Sequence, residues 1–228
     1  RNAISSCNNY GDINSAVARS AGIVGVANSC TDIVLCENRG DQLNTFATSG
    51  GSRPGNITCM CANGSTITSC KNYGDLVSTT AGRCGGILSL PNAGTYTDCE
   101  NYGRIITDSD YRGVFFGYVN TAAVWNGGVA SGRVGKYNNG DWQYDLYSEA
   151  NKISYLGRQG NANGSYNNIT YDIQTGEDEP DPDLDVDADF RIFFIGNSFT
   201  KDAVEHLPGI LHAAGLNGIQ LVHMYYGG

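Results

Sequence analysis

The sequence predicts a mainly β fold, a repeat β-solenoid followed by a partial α/β segment of βαβ type. Three observations carry that expectation. A Cys-x-Asn-x-Gly unit recurs four times. Glycine is abundant, at 31 of 228 residues, while only 16% of residues are charged, a composition of turn-dense β architecture and not of a helical bundle. An acidic, proline-bearing stretch then separates this composition from an unbroken apolar run beginning at Phe190.

The four copies of the unit are Cys7-Asn-Asn-Tyr-Gly11, Cys36-Glu-Asn-Arg-Gly40, Cys70-Lys-Asn-Tyr-Gly74 and Cys99-Glu-Asn-Tyr-Gly103, each followed by Asp or Arg, at Cys-to-Cys intervals of 29, 34 and 29 residues. Intervals of that size belong to stacked repeat arrays. The local reading is a short strand ending at Cys, a tight turn in which Gly supplies positive φ and Asn caps backbone groups, then a second short strand. One such unit cannot bury its own apolar face, so copies are expected to stack with neighbouring coils roughly 4.8 Å apart, aligning Cys, Asn and Gly in columns.

Between the copies lie the small-residue, β-branched stretches Ala21-Gly-Ile-Val-Gly-Val26 and Ala81-Gly-Arg-Cys-Gly-Gly-Ile-Leu88, read as a second strand type. With the Cys-x-Asn-x-Gly units, these stretches resemble the GLUG-like, Gly/Asn-rich surface repeats of bacterial secreted proteins over about residues 1 to 135. The resemblance implies a β-solenoid. Periodicity loosens from about 124 onward, where Tyr137-Asn-Asn-Gly-Asp141 and Tyr166-Asn-Asn-Ile-Thr170 read as degenerate copies and the aromatics, including Trp125 and Trp142, gather. That region is expected to cap the stack, since large side chains cover an open coil. A sugar-binding aromatic platform is the competing reading.

Eight cysteines, few lysines and many Asn, Gly, Ser, Thr and Tyr point to an oxidising, extracellular or cell-surface setting. The equivalent residues Cys7, Cys36, Cys70 and Cys99 have two readings left open: stacked small apolar core residues, or disulfides, because adjacent coils bring Cα atoms within bridging range. No metal is expected; Cys59-Met-Cys61 lacks the usual ligand spacing and has no His nearby. Sequons at Asn56, Asn63, Asn163 and Asn168 fit glycan acceptors in a secretory route or the composition alone.

Residues Thr175 to Asp189 read TGEDEPDPDLDVDAD. Charge repulsion and proline keep such a stretch extended, so the expected boundaries are a repeat domain at 1–174, a linker at 175–189 and an α/β segment at 190–228. Calcium at the Asp181–Asp189 run is the alternative, but the Gly and closing Glu of a calcium loop are missing. After the seam come a buried-type strand, Phe190 to Ile195, a turn at Gly196 to Thr200, a helical pattern over Lys201 to Ala214 interrupted by Pro208, and a second strand, Gly218 to Met224.

At Gly196-Asn-Ser-Phe-Thr200 the chain resembles the first block of the SGNH/GDSL hydrolases, over about residues 190 to 228. The resemblance implies Ser198 as nucleophile and Gly227 or Gly228 as an oxyanion-hole amide donor. The family's third-block Asn and its Asp-x-x-His have no counterpart in the 228 residues, and His206, His212 and His223 are poorly placed substitutes. Without a base, Ser198 is an ordinary alcohol; the bland reading of it is a helix N-cap. Both ends of the chain read as cut.

The net charge of −9 opposes a phosphate backbone and excludes nucleic-acid binding as the main task, and no apolar run is long enough for a membrane helix. Two functions follow as expectations. The first is a secreted structural, adhesive or fibre-forming module that self-associates end to end or binds glycans. The second is a fragment of a serine esterase acting on carbohydrate or lipid esters through Ser198.

Overall fold

The computed structural model describes residues 2–28, 31–46, 51–62, 64–79, 82–92, 94–119, 122–138, 141–160 and 164–172, with the side chains of 137, 138, 141 and 142 left aside, and the backbone of 190–196 and 219–225. The chain is mainly β. It divides into two units, Arg1–Thr175 and Gly176–Gly228.

In the first unit the chain repeats one path, and each pass lays its strands beside those of the pass before. One six-stranded sheet contains Asn2–Ser5, Thr31–Val34, Thr66–Thr68, Thr95–Thr97, Val124–Asn126 and Ser165–Asn167, all parallel. A second holds the two-residue strands Asn8–Asn9, Glu37–Asn38, Lys71–Asn72, Glu100–Asn101, Val129–Ala130 and Thr170–Tyr171. The third runs through Ile13–Ser15, Gln42–Asn44, Leu76–Ser78, Ile105–Thr107 and Val134–Asn138. A fourth side is made of smaller pieces, among them Val24–Ala27, Thr58–Cys61 and Leu88–Pro91, and the pairs Arg83–Gly85 with Tyr111–Gly113 and Tyr118–Val119 with Arg158–Gln159. Strands this short cannot hold together alone. They persist because each backbone amide bonds to the neighbouring pass, as where Glu37 N–H donates to Cys7 C=O and Lys71 N–H to Cys36 C=O, both at 2.9 Å.

Register places like with like. Ile4 opposes Ile33, Ile33 opposes Ile67, Ile67 opposes Tyr96, Tyr96 opposes Trp125, and Trp125 opposes Tyr166. From the opposite side Ile57, Ile87, Phe115 and Leu156 are linked pass to pass by backbone bonds and are fully buried. The core therefore widens from isoleucine to aromatic along the stack, with Phe115 lying over Trp125 at 4.2 Å between ring centroids and 10° between planes.

Stacking does not stop near 135. Gly128-Val-Ala-Ser-Gly132 occupies the place of the Cys-x-Asn-x-Gly unit, since Val129 and Ala130 oppose Glu100 and Asn101. Tyr137 to Asp141 is accordingly not a degenerate copy of the unit. It belongs to a hairpin in which Val134–Asn138 pairs antiparallel with Asp141–Tyr144. This hairpin and the short helix Lys152–Leu156 are an insertion in the fifth pass, and the helix delivers Tyr155 and Leu156 to the core. Tyr166 to Thr170 does continue the stack, though one strand earlier than the Cys position.

In the second unit Phe190–Gly196 and Ile219–Tyr225 pair in parallel, Phe190 opposite Ile219 through Gly196 opposite Tyr225. Parallel neighbours require a crossover connection. The predicted helix at Lys201 to Ala214 and the linker at 175–189 lie outside the described residues.

Candidate functional site

The repeated turn is where sequence and geometry meet. Asn9, Asn38, Asn72 and Asn101 form one ladder: each Nδ2 donates to the Oδ1 of the next, at 2.8, 2.9 and 2.7 Å. The same Nδ2 atoms also donate to the carbonyl of the glycine two residues on, at 2.8 to 2.9 Å. A carboxamide suits the ladder because its NH2 carries two donors, one for the next asparagine and one for the glycine carbonyl, beside a separate acceptor oxygen. The glycines are needed for close approach. A Cβ on Gly40, Gly74 or Gly103 would stand 2.0 to 2.1 Å from the carbonyl oxygen of the glycine one pass earlier.

The expected positive φ at these glycines is not found; it belongs to the residue before the cysteine. Ser6, Leu35, Ser69, Asp98 and Asn168 have φ between 49° and 55°, and Gly127 takes the corresponding place at 77°. The chain turns there from one sheet into the next, leaving the motif glycine free to pack against its counterpart.

The cysteines of successive passes lie next to one another. Cys36 Sγ lies 3.5 Å from Cys7 N and Cys70 Sγ 3.4 Å from Cys36 N. Each thiol donates to the carbonyl two residues back, at 3.4 to 3.5 Å. Cys7, Cys36, Cys59, Cys61, Cys70, Cys84 and Cys99 are free thiols; Cys30 lies outside the described residues. Desolvation pushes Cys59 and Cys84 up to about 11 and Cys61 and Cys70 up to about 12, and holds Cys99 well above the ordinary thiol range. Such groups stay protonated near neutral pH and are inert as nucleophiles. Among the described residues no three His, Cys, Asp or Glu side chains converge as a metal site would need.

Outward from the same turns runs a surface stripe. Tyr73 and Tyr102 stack at 5.1 Å and 7°, and the Arg39 guanidinium lies 4.4 Å from the Tyr73 ring centre. Tyr10, in the first pass, is 70% exposed. Lys71 and Glu100 pair alongside at 2.9 Å. Beside them Asp12 accepts from the Asp41 amide at 2.9 Å and Asp41 from the Asp75 amide at 2.8 Å. Asp75 receives both the amide and the guanidinium of Arg104, which raises that guanidinium's pKa above its usual value. Trp125, by contrast, is 1% exposed and is core, not a sugar platform.

The other predicted site residues are not brought together in view. Ser198, Gly227, Gly228, His206, His212 and the Asp181–Asp189 run lie outside the described residues. His223 is on the second strand, its backbone opposite Phe194. Of the sequons, Asn56 is fully buried with its Nδ2 donating to Gly74 C=O at 2.7 Å, so it is no glycan acceptor. Asn168 is exposed, and Asn63 and Asn163 lie outside the described residues.

Sequence reasoning missed a further column, Arg19, Arg53 and Arg83, in equivalent places of successive passes. Their intervals of 34 and 30 residues match the coil length, and that was the available signal. No family model, curated protein or solved structure matches this chain.

Proposed function

We propose that residues 1–174 are a β-solenoid module of a secreted or cell-surface protein, with a structural, adhesive or fibre-forming role. The observation that supports this reading is the in-register stack of Asn, Cys and Gly ladders, which spends the repeated residues on self-pairing between passes and leaves a regular outer stripe of Tyr10, Arg39, Tyr73 and Tyr102. Six of the seven described thiols are buried, with Cys61 and Cys70 pushed well above the ordinary thiol range by desolvation. Among the described residues no helix is long and apolar enough to cross a membrane. Repeat coils also present edges that can accept another coil. Light scattering after size exclusion, across a concentration series, tests the assembly, and a glycan array tests adhesion. Concentration-dependent growth or selective glycan binding is expected. A strictly monomeric species that binds no glycan would overturn the reading.

A second reading rests on the parallel pair Phe190–Gly196 and Ile219–Tyr225. Parallel order, with the sequence Gly196-Asn-Ser-Phe-Thr200 at the end of the first strand, suits the opening of an SGNH-type hydrolase. In that reading Ser198 attacks an ester carbonyl, and the amide of Gly227 or Gly228 stabilises the oxyanion. A longer protein containing this chain should hydrolyse p-nitrophenyl acetate and lose that activity in Ser198→Ala; equal rates would remove the esterase.

A further inference from the structure

Three arginines stand one above another on the outside of successive passes. Arg53 N–H donates to Ala18 C=O and Gly55 N–H to Ser20 C=O, which sets Arg53 opposite Arg19, and the bridge between Ser52 and Gly82 sets Arg53 opposite Arg83. The next pass places Tyr111 opposite Arg83. Rungs lie roughly 4.8 Å apart, so three like-charged side chains leave the backbone at neighbouring positions of one column. In a chain of net charge −9 this is the reverse of what solvation alone would arrange.

Nothing in the described structure neutralises them. None of the three makes an ion pair with a described carboxylate, whereas Arg39, Arg104 and Arg112 each do. Arg53 Nε is buried with no hydrogen-bond partner, and Arg53 Nη1 reaches only the soft sulfur of Met60 at 3.8 Å. Asp110, on the neighbouring column, is engaged by Lys136 at 2.6 Å and by Arg112 at 3.7 Å. Burial and the charges of Arg83 and Arg19 lower the Arg53 pKa, consistent with an unneutralised cluster. A buried, unpaired donor is costly unless something satisfies it.

The ladder ends on aromatic rings. Arg83 lies 5.1 Å from the Tyr118 ring centre and 6.0 Å from that of Tyr111, and the two rings meet edge to face at 4.9 Å. Tyr111 is 43% exposed. One guanidinium per rung followed by a tyrosine pair suits a linear polymer with one oxyanion per unit and a ring that can lie on an aromatic face. Nucleic acid suits it less, because the overall negative field opposes a dense phosphate backbone.

We propose that Arg19, Arg53 and Arg83, with Tyr111 and Tyr118, bind an acidic glycan laid along the stacking direction, its carboxylate or sulfate groups bridged by successive guanidinium forks. The site lies apart from the stripe of Tyr10, Arg39, Tyr73 and Tyr102. It rests on the stacking of passes and not on end-to-end assembly.

Calorimetry on the 228-residue chain at low salt tests it with four probes: polygalacturonate, dextran sulfate, neutral dextran and single-stranded DNA. Binding to polygalacturonate or dextran sulfate is expected, weakening as salt is raised, with neutral dextran inactive. Arg19→Gln and Arg83→Gln should each weaken binding about tenfold, the loss of a charge-assisted hydrogen bond. Arg53→Gln should weaken binding similarly while raising the melting temperature by about 2 °C, because repulsion is relieved. Equal binding by the variants, equal affinity for neutral dextran, tighter binding of DNA than of either acidic polymer, or a lowered melting temperature in Arg53→Gln would each overturn the proposal. Assembly measured by light scattering is unaffected in these variants if the module reading alone is right.

Discussion

The first four passes and the fifth close the same path with different interiors. In the earlier ones a polar ladder fills the turn: Asn9, Asn38, Asn72 and Asn101 bond pass to pass, with cysteines beside them. In the fifth Ala130 replaces the asparagine and Gly128, at a φ of 105°, replaces the cysteine. The support moves to aromatics, with Trp125 packed on Tyr96, Phe115 and Phe116, and to an inserted hairpin and helix. The comparison teaches that the stacking path does not depend on one chemistry. Self-complementary amides hold it where the neighbour is identical; bulk holds it where the neighbour differs.

The comparison is sharpest at Trp125. Trp125→Ala should lower stability by about 3–5 kcal/mol through the cavity it leaves, read as a drop in the urea midpoint of the 228-residue chain. A loss under about 1 kcal/mol would mean that the hairpin and helix carry the fifth pass without it.

Next in size is a pair of glycines. Gly74→Ala sets a Cβ 2.0 Å from the Gly40 carbonyl oxygen, whereas Gly11→Ala meets nothing closer than 3.9 Å. The first should cost about 3 kcal/mol because backbone faces backbone and neither can step aside; the second should stay within about 0.5 kcal/mol. Equal effects by thermal melting would show that close approach is not why the glycine recurs.

Asn72→Ala strands the Oδ1 of Asn101 in a buried site and leaves the Nδ2 of Asn38 only its bond to the Gly40 carbonyl, and should cost about 1–3 kcal/mol. Asn9→Ala, at a half-buried rung with one ladder partner, should cost less. Reversed order in chemical denaturation would break the account of the polar ladder. At the exposed rim, Arg104→Met removes a pairing whose arginine side chain is 53% exposed and should cost only about 0.2–1 kcal/mol.

A last contrast changes no stability. Of the seven described thiols Cys7 is exposed and the other six are buried, with Cys61 and Cys70 pushed up to about 12. Iodoacetamide at pH 8 should therefore alkylate Cys7 first among them, with peptide mass spectrometry as the readout. Early labelling of Cys70 would show that the stack opens.

Much of this was legible in the residues. The Cys-x-Asn-x-Gly spacing located the passes, because self-similar segments can satisfy one another only in register, and the apolar runs after the acidic stretch located the strands that the structure places at Phe190–Gly196 and Ile219–Tyr225. The role of glycine was misread, since a tight turn and a close approach select the same residue, and only the φ of Ser6, Leu35, Ser69 and Asp98 separates them. The fifth pass was read as loosened because Gly128 and Ala130 share the path of Cys99 and Asn101 without sharing their chemistry. At Asn56 the sequon pattern leaves glycan acceptor and mere composition open, and the structure decides because the side chain is consumed inside the turn stack.

By itself the sequence determined the mainly β character and the repeat length, since composition and spacing act locally and are written residue by residue. The tertiary structure alone decided which residues of different passes share a column. That assembled Arg19, Arg53 and Arg83, dispersed over more than sixty residues, into one ladder, because register between parallel strands is fixed by packing across the core and not by any one segment.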